Sequence, residues 1–368
     1  DVYKRQPPVR GTGLVVALGR RGRDSEARHG ASVDAALRRS LRAAVAGDRA
    51  AAETWLERVV EADTADLHAY HALAELYREQ GAIGRAIRMH QNLLLRRDLD
   101  RRGRTEALLE LARDFDAGGF GERAIASYEE VLDTEPRNAE VLERLARLLH
   151  AQRDFARALV LVKKLRRQDR ETADALEREL LLAQAQSEYD EGESDAARST
   201  LRRLLKRDRG NVTAWTLLGE LEVERGRDAK ALDAWKKGVL ADPAGAGALY
   251  AKLDASYSAS GKRDAYEKLL RGLLERSPEA AATRIALGRL LASRGESAAA
   301  IEELARAIEV APRDARLRVE LGRLLLEAGH EAEALKAYGS LLEALERGEI
   351  EALEATQRVA RSGEGTDA

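Results

Sequence analysis

The sequence predicts an all-α chain, a superhelical solenoid of about nine helix-turn-helix units followed by a capping helix. Three observations predict it. Gly192, Gly226, Gly261, Gly295 and Gly329 follow one another at 34, 35, 34 and 34 residues, and Gly47 and Gly81 are again 34 apart. Of the six prolines, all but Pro7 and Pro8 fall at one slot of that period, as Pro136, Pro243, Pro278 and Pro312. Leu, Ala, Arg and Glu dominate, aromatics are only 4%, and the 34% of charged residues nearly balance at a net charge of -2. A fixed period of this length marks an array in which each unit buries its apolar face against the next.

Residues 1–31 stand outside the period. Pro7-Pro8 forbids helix there, and Leu14 to Leu18 is far short of the roughly 20 apolar residues that span a bilayer. Gly19-Arg20-Arg21-Gly22-Arg23 follows, and cations just after an apolar stretch are held on the cytoplasmic side. The segment reads as a flexible basic leader or as the remnant of a truncated membrane anchor. As written, the chain is expected to be soluble.

The array takes residues 32–348. Its units are expected at 33–66, 67–100, 105–138, 139–172, 178–211, 212–245, 247–280, 281–314 and 315–348. The second carries Tyr70, Leu73-Ala74, Tyr77, Gly81, Ala86 and His90; the third carries Leu111-Ala112, Phe115, Gly119, Ala124, Tyr128 and Pro136. The fourth has Arg153 in the glycine slot, which predicts a strained turn. Residues 212–245 are the cleanest unit, and the next places Tyr266 where alanine is usual. The last two repeat the pattern with Leu287-Gly288, Gly295, Ala300 and Pro312, then Leu321-Gly322, Gly329, Ala334 and Tyr338. The period slips near 101–104 and 173–177, where joints between units are expected. Residues 349–361 read as the capping helix and 362–368 as a disordered tail.

Each marked position of 212–245 has a physical task. Gly219 sits where the two helices of the pair meet closely, and Gly226 ends the first helix in the left-handed conformation that glycine adopts without strain. Ala231 lets the second helix press on the first, Trp215 and Trp235 fill the space between, and Pro243 cannot continue a helix. The order of tryptophan, leucine-glycine, alanine, aromatic and proline resembles the tetratricopeptide repeat.

Composition excludes several chemistries. Without cysteine there are no disulfides, thiolate metal sites or cysteine nucleophiles, and the near-zero net charge supplies no global field for nucleic acid. No Ser-His-Asp order, paired carboxylate motif or Walker loop stands out, and the repeats leave no room for a catalytic domain, so no enzyme is expected. Gly11-Thr-Gly13 lacks a preceding strand and a third glycine and reads as linker. The basic runs Lys163 to Arg167 and Arg202 to Arg207 fall on second helices and read as solvated convex faces, not as nucleic-acid sites.

Binding is the function this architecture favours. In a superhelical array the first helix of each pair lines the concave groove, where proteins or peptides are expected. That assigns His68, His71, Glu75, Arg78 and Glu79 in the second unit, Glu106, Leu109, Arg113 and Asp116 in the third, and Glu140, Glu143, Arg147 and His150 in the fourth. Charge of both signs predicts a grip on a polar peptide or protein surface. The corresponding positions of 247–280 are Ala248, Ala251, Ala255, Ser258 and Ala259, expected to pack against a helix or another copy of the chain as a homodimer. Spacings of three and four put His68, His71 and Glu75 on one helical face, but no further ligand is visible, so neither metal nor cofactor is assigned. His90 occupies an aromatic slot and reads first as a packing histidine, second as a contact.

The strings Gly81-Ala-Ile-Gly-Arg-Ala-Ile-Arg-Met-His-Gln-Asn-Leu-Leu94 and Ala112-Arg-Asp-Phe-Asp-Ala-Gly-Gly-Phe-Gly-Glu-Arg-Ala124 resemble the corresponding repeats of the lipopolysaccharide assembly protein B family. Arg85, Arg88, His90 and Gln91 are the most specific part, because a generic repeat does not require them. The resemblance implies an inner-membrane adaptor facing the cytoplasm, anchored upstream. It helps a membrane-bound ATP-dependent protease degrade the deacetylase that commits carbon to lipid A. The family ends in a rubredoxin-like module of two Cys-x-x-Cys pairs, which this cysteine-free chain does not carry, so iron or zinc binding does not transfer. The alternative is a general repeat scaffold for envelope or polysaccharide assembly.

Overall fold

The computed structural model describes residues 39, 40, 42, 43, 46–62 and 66–347, and these are all-α. The expected leader, capping helix and tail lie outside the described residues, as does most of the first helix of unit 33–66. The chain divides into two compact units, residues 1–180 and 181–368. The first holds α1 (Arg49–Ala62), α2 (Leu67–Glu79), α3 (Ile83–Leu94), α4 (Arg101–Ala117), α5 (Gly121–Thr134), α6 (Ala139–Ala151) and α7 (Phe155–Leu165). Helix α8 (Arg170–Asp190) begins in it. The second holds α9 (Ser194–Arg207), α10 (Val212–Glu224), α11 (Asp228–Ala241), α12 (Gly247–Ala259), α13 (Arg263–Arg276), α14 (Ala281–Ser293), α15 (Ser297–Val310), α16 (Ala315–Glu327) and α17 (Glu331–Glu346).

The sequence marks many of the starts and stops of these helices. Asp66, Asp100, Asn138, Asp154, Asn211 and Asp314 each accept a backbone N–H from the first turn of the helix they precede, satisfying a donor that has no partner within the helix. First helices end on the glycine beat: the eight period glycines from Gly47 to Gly329 have φ between 66° and 82°. At Gly226 the N–H donates to the carbonyl of Val223 at 2.8 Å and the next N–H, of Arg227, to Glu222 at 2.7 Å. This pair of bonds closes the helix and needs the left-handed residue between. Nothing lies within 4 Å of a Cβ built there, so conformation, not space, selects glycine. Arg153 closes α6 with the same two bonds at φ 63°, alone among the described non-glycine residues in that region, as the strained turn predicted. Second helices α5, α11, α13 and α15 end two residues before Pro136, Pro243, Pro278 and Pro312, and the residue between has left the helical region, with ψ between 67° and 89°, as a following proline disfavours helix there.

The glycine expected at the close approach of paired helices behaves differently. A Cβ on Gly219 would stand 2.0 Å from Nε1 of Trp235, and one on Gly288 would meet the backbone oxygen of Ala300 at 3.3 Å. One correction concerns the two slips. Residues 101–104 and 173–177 are not joints but helix: α4 has 17 residues and α8 has 21, against 13 in the first helices α2, α6, α10, α12, α14 and α16. The extra residues add about one and two turns to the start of a first helix. In α8 they pack, with Ala173 and Leu176 buried in the same core as Val162 and Leu165 of α7.

Each unit has its own core. In the first, Leu73, Leu76 and Tyr77 of α2 pack with Leu56 and Val59 of α1, and a larger cluster runs from Leu108 to Leu180 around the fully buried Tyr128. In the second, Trp235, Tyr250, Tyr257, Tyr266 and the leucines of α14 share a cluster that reaches Leu324.

Candidate partner-binding surfaces

At the start of the array a polar network is buried where most repeats are apolar. The tenth position of a unit is leucine in Leu76, Leu148, Leu221, Leu290 and Leu324, but in α4 it is Asp114, which has no exposure. One oxygen of Asp114 accepts from Nδ1 of His90 on α3 at 2.6 Å; the other accepts from the Arg78 guanidinium on α2 at 2.8 Å. Nε2 of His90 faces Nδ1 of His71 at 3.1 Å, and the two rings stack at 5.2 Å. Arg78 also reaches Glu110 at 3.2 Å, and Arg113 pairs with the second oxygen of Glu110. Burial, then the charge of His90, lowers His71 to about 4, so it is neutral near pH 7. Burial works against ionisation of Glu110, but the guanidinium groups of Arg113 and Arg78 outweigh it and hold its carboxyl below the usual range. Nearby Glu75 is pushed up by burial, with Arg78 pulling the other way.

From Arg113 the charges step outward across successive first helices. Arg113 holds Glu140 of α6 at 2.6 Å, Arg144 bridges back from Glu140 to Asp116 at 3.1 and 3.6 Å, and Arg147 lies between Glu143 and Glu179 of α8. His150 joins Glu179 at 3.5 Å. The result is a mixed-sign ladder on one side of the first unit, partly open to water.

The thirteen residues singled out as a partner surface do not form one surface. Glu75, Arg78, Glu79, Glu106, Arg113 and Asp116 are half-buried, and His68 and Arg147 are exposed. At 7% and 0% exposure His71 and His90 belong to the core: His71 is a correction to a contact role, and His90 takes the packing position read first for it rather than the contact read second. His71 is drawn into the core against the ring of His90, while His68, three residues earlier, stays exposed, so the two rings do not share an open face. Arg85, Arg88 and Gln91 are exposed on α3, a second helix, where Arg85 meets Glu53 of α1 at 3.3 Å and the Tyr77 ring at 5.3 Å. Among the described residues no group of three His, Cys, Asp or Glu side chains is placed to hold a metal. Asp114 and Glu110 were missed by the sequence reading. The signal that could have found Asp114 is the carboxylate standing at a leucine position.

In the second unit the alanine positions of 247–280 do lie together. Ala248, Ala251 and Ala255 of α12 line a cavity of about 630 Å³, shared with Ala282 and Ile285 of α14 and floored by Tyr250 and Tyr266. Tyr250 donates to or accepts from Thr283 at 2.6 Å, and the hydroxyl of Tyr266 donates to the Tyr250 carbonyl at 2.9 Å, which fixes both rings. Arg289, paired with Glu320 at 2.8 Å, borders it. Small side chains over a rigid aromatic floor leave room for a segment brought from outside.

Comparison with known proteins agrees with this architecture. Two family descriptions, both "Tetratricopeptide repeat", match residues 121–185 and residues 182–248 and 285–349, together just over half of the chain. Lipopolysaccharide assembly protein B of Escherichia coli (strain K12) is 24% identical over 252 residues, covering 68% of this chain and 64% of that protein. The chain thus aligns with less than two thirds of that relative's length. The protein of the same name from Haemophilus influenzae is 29% identical over 203 residues, covering 54% and 50%. Among solved structures, a tetratricopeptide repeat protein from Parabacteroides merdae has 15% identity, a TM-score of 0.39 and coverage of 80% of this chain and 99% of its own. YrrB, described as a TPR protein with an unusual peptide-binding site, has 19% identity, a TM-score of 0.37 and coverage of 54% and 97%. Among the described residues no helix is long and apolar enough to cross a membrane. With its 34-residue beat, its paired helices and the two family matches, the chain belongs to the tetratricopeptide-repeat proteins, and by its alignment it resembles lipopolysaccharide assembly protein B.

Proposed function

We propose that the chain is a non-enzymatic, protein-binding adaptor that regulates lipopolysaccharide synthesis or assembly. It acts with a membrane-bound ATP-dependent protease on the lipid A deacetylase, at the cytoplasmic face of the inner membrane. The observation that carries this reading is the alignment with lipopolysaccharide assembly protein B across 252 residues. The mixed-sign ladder of first helices supports it as a surface for a polar protein partner, and the alanine-lined cavity supports a second contact with a helix or another copy of the chain. Salt-dependent, mixed-charge contacts suit an adaptor that must hold and release.

In cells, crosslinking from a photoreactive residue at position 68 or 106 should capture the protease or the deacetylase, and deletion of the gene should raise deacetylase levels. Unaltered deacetylase with neither protein captured would overturn the reading. Charge reversal at Arg147 combined with Glu106→Lys should weaken capture about tenfold while the fold persists, because both positions lie outside the buried network. Reversal at Arg78 is a poor probe, since it would leave Asp114 buried beside a second carboxylate.

A further inference from the structure

The basic run Arg202 to Arg207, read from sequence as a solvated face, opens onto a cleft of about 810 Å³ in the second unit. Its walls are the second helices α9 and α11, with the first helix α10 between them. Arg202 and Lys206, one turn apart on α9, stand on one rim; Arg209 follows in the turn, and Lys230 of α11 stands opposite. Among the described residues none of these four has an acidic partner. That sets them apart from the ladder of the first unit, where Arg78, Arg113, Arg144 and Arg147 are all paired. The two acids that line the cleft are already engaged. Glu222 is held by Arg198 at 2.5 Å and Asp233 by Lys237 at 2.6 Å.

The floor is apolar. Leu205, Leu218 and Ala234 are buried beneath it, while Leu240 at the lip keeps 39% of its surface exposed. Trp215 is fixed by donating its indole N–H to the Arg209 carbonyl at 2.9 Å, and Lys237 lies 5.6 Å from its ring centre. The volume is in the range of pockets that bury an organic ligand, roughly 300–1,000 Å³.

We propose that this cleft binds an acidic peptide segment, seating an apolar side chain against Trp215, Leu218 and Leu240 while its carboxylates meet Arg202, Lys206, Arg209 and Lys230. Unpaired cations around an apolar floor complement a chain that carries both features within a few residues. A nucleic acid would need successive aromatic platforms, and the cleft offers one half-buried tryptophan. The carboxylates of Glu222 and Asp233 in its wall also oppose a dense array of phosphates. The cleft belongs to residues 181–368 and the ladder to residues 1–180, so this site goes beyond the function proposed above and stands or falls separately.

The test uses the full chain and a labelled peptide of leucines flanked by glutamates, with a lysine-flanked counterpart. The acidic peptide should bind and shift the emission of Trp215, a signal that Trp215→Phe removes. The double variant Arg202→Glu with Lys206→Glu should weaken binding at least about tenfold while keeping its helical circular dichroism, and the lysine-flanked peptide should bind at least as weakly. No binding of the acidic peptide would overturn the proposal, as would equal binding of the two peptides or wild-type affinity in the folded double variant. Tighter binding at Trp215 of a single-stranded oligonucleotide or of phosphatidylglycerol vesicles would also overturn it.

Discussion

Arg153 holds a left-handed backbone that costs an L-residue about 1–2 kcal/mol, and its side chain is exposed. Arg153→Gly should relieve that cost, less the extra chain entropy that glycine brings to the unfolded state, and raise stability by about 0.5–1 kcal/mol in a denaturant titration. At Asp114 the balance runs the other way. Leucine is what sibling repeats carry there, yet Asp114→Leu would strip Arg78 and His90 of their shared carboxylate and should cost about 3 kcal/mol. His71 adds a pH dependence. Its pKa falls from 6.5 unfolded to about 4 folded, chiefly through burial, so the unfolded chain takes up a proton that the folded chain refuses. The stability this contributes is complete above the unfolded value and drains away as pH drops toward 4, by up to about 3 kcal/mol. Unfolding midpoints at neutral and acid pH should differ less in His71→Phe than in the wild type.

Helices of this chain are punctuated by residues whose roles are steric and local, and for that reason most of their ends, among the described residues, were legible in the sequence. Gly226 and Pro243 act within a residue or two of themselves, whatever the rest of the chain does. The buried network was not legible, because its bonds join residues 19, 24 and 36 positions apart and no local pattern pairs His71 with His90 or Asp114 with Arg78. The added turns of α4 and α8 were also misread, since a slipped period looks the same whether the extra residues form loop or helix; Asp100, capping α4 ahead of the slip, was the deciding residue. Glycines within helices divide by what surrounds them. Gly272 of α13 has open space about it, so Gly272→Ala should stabilise by about 0.5–1 kcal/mol. Gly219→Ala drives a methyl into Trp235 and should destabilise by about 1–3 kcal/mol, read as a lower melting temperature.

Across the whole molecule, the three tryptophans report on separate regions, Trp55 in residues 1–180 and Trp215 and Trp235 in residues 181–368. Repeat arrays share stability mainly between neighbours, so a lesion in one region need not be felt in the other. Asp114→Leu should move the denaturation curve seen by Trp55 to lower denaturant and leave that seen by Trp215 and Trp235 in place. A single curve shifted equally for both would mean that the chain melts as one body. Repeats so alike in their leucines also face a hazard that single-core proteins avoid: during folding, a hairpin can dock on the wrong sibling and still find a greasy match. Asp114 removes that option locally, because it is α2 and α3 that present the arginine and histidine that neutralise it. A mis-stacked intermediate would strand its charge in an apolar layer, at a cost of several kcal/mol, and would come apart before the rest of the array grew on it.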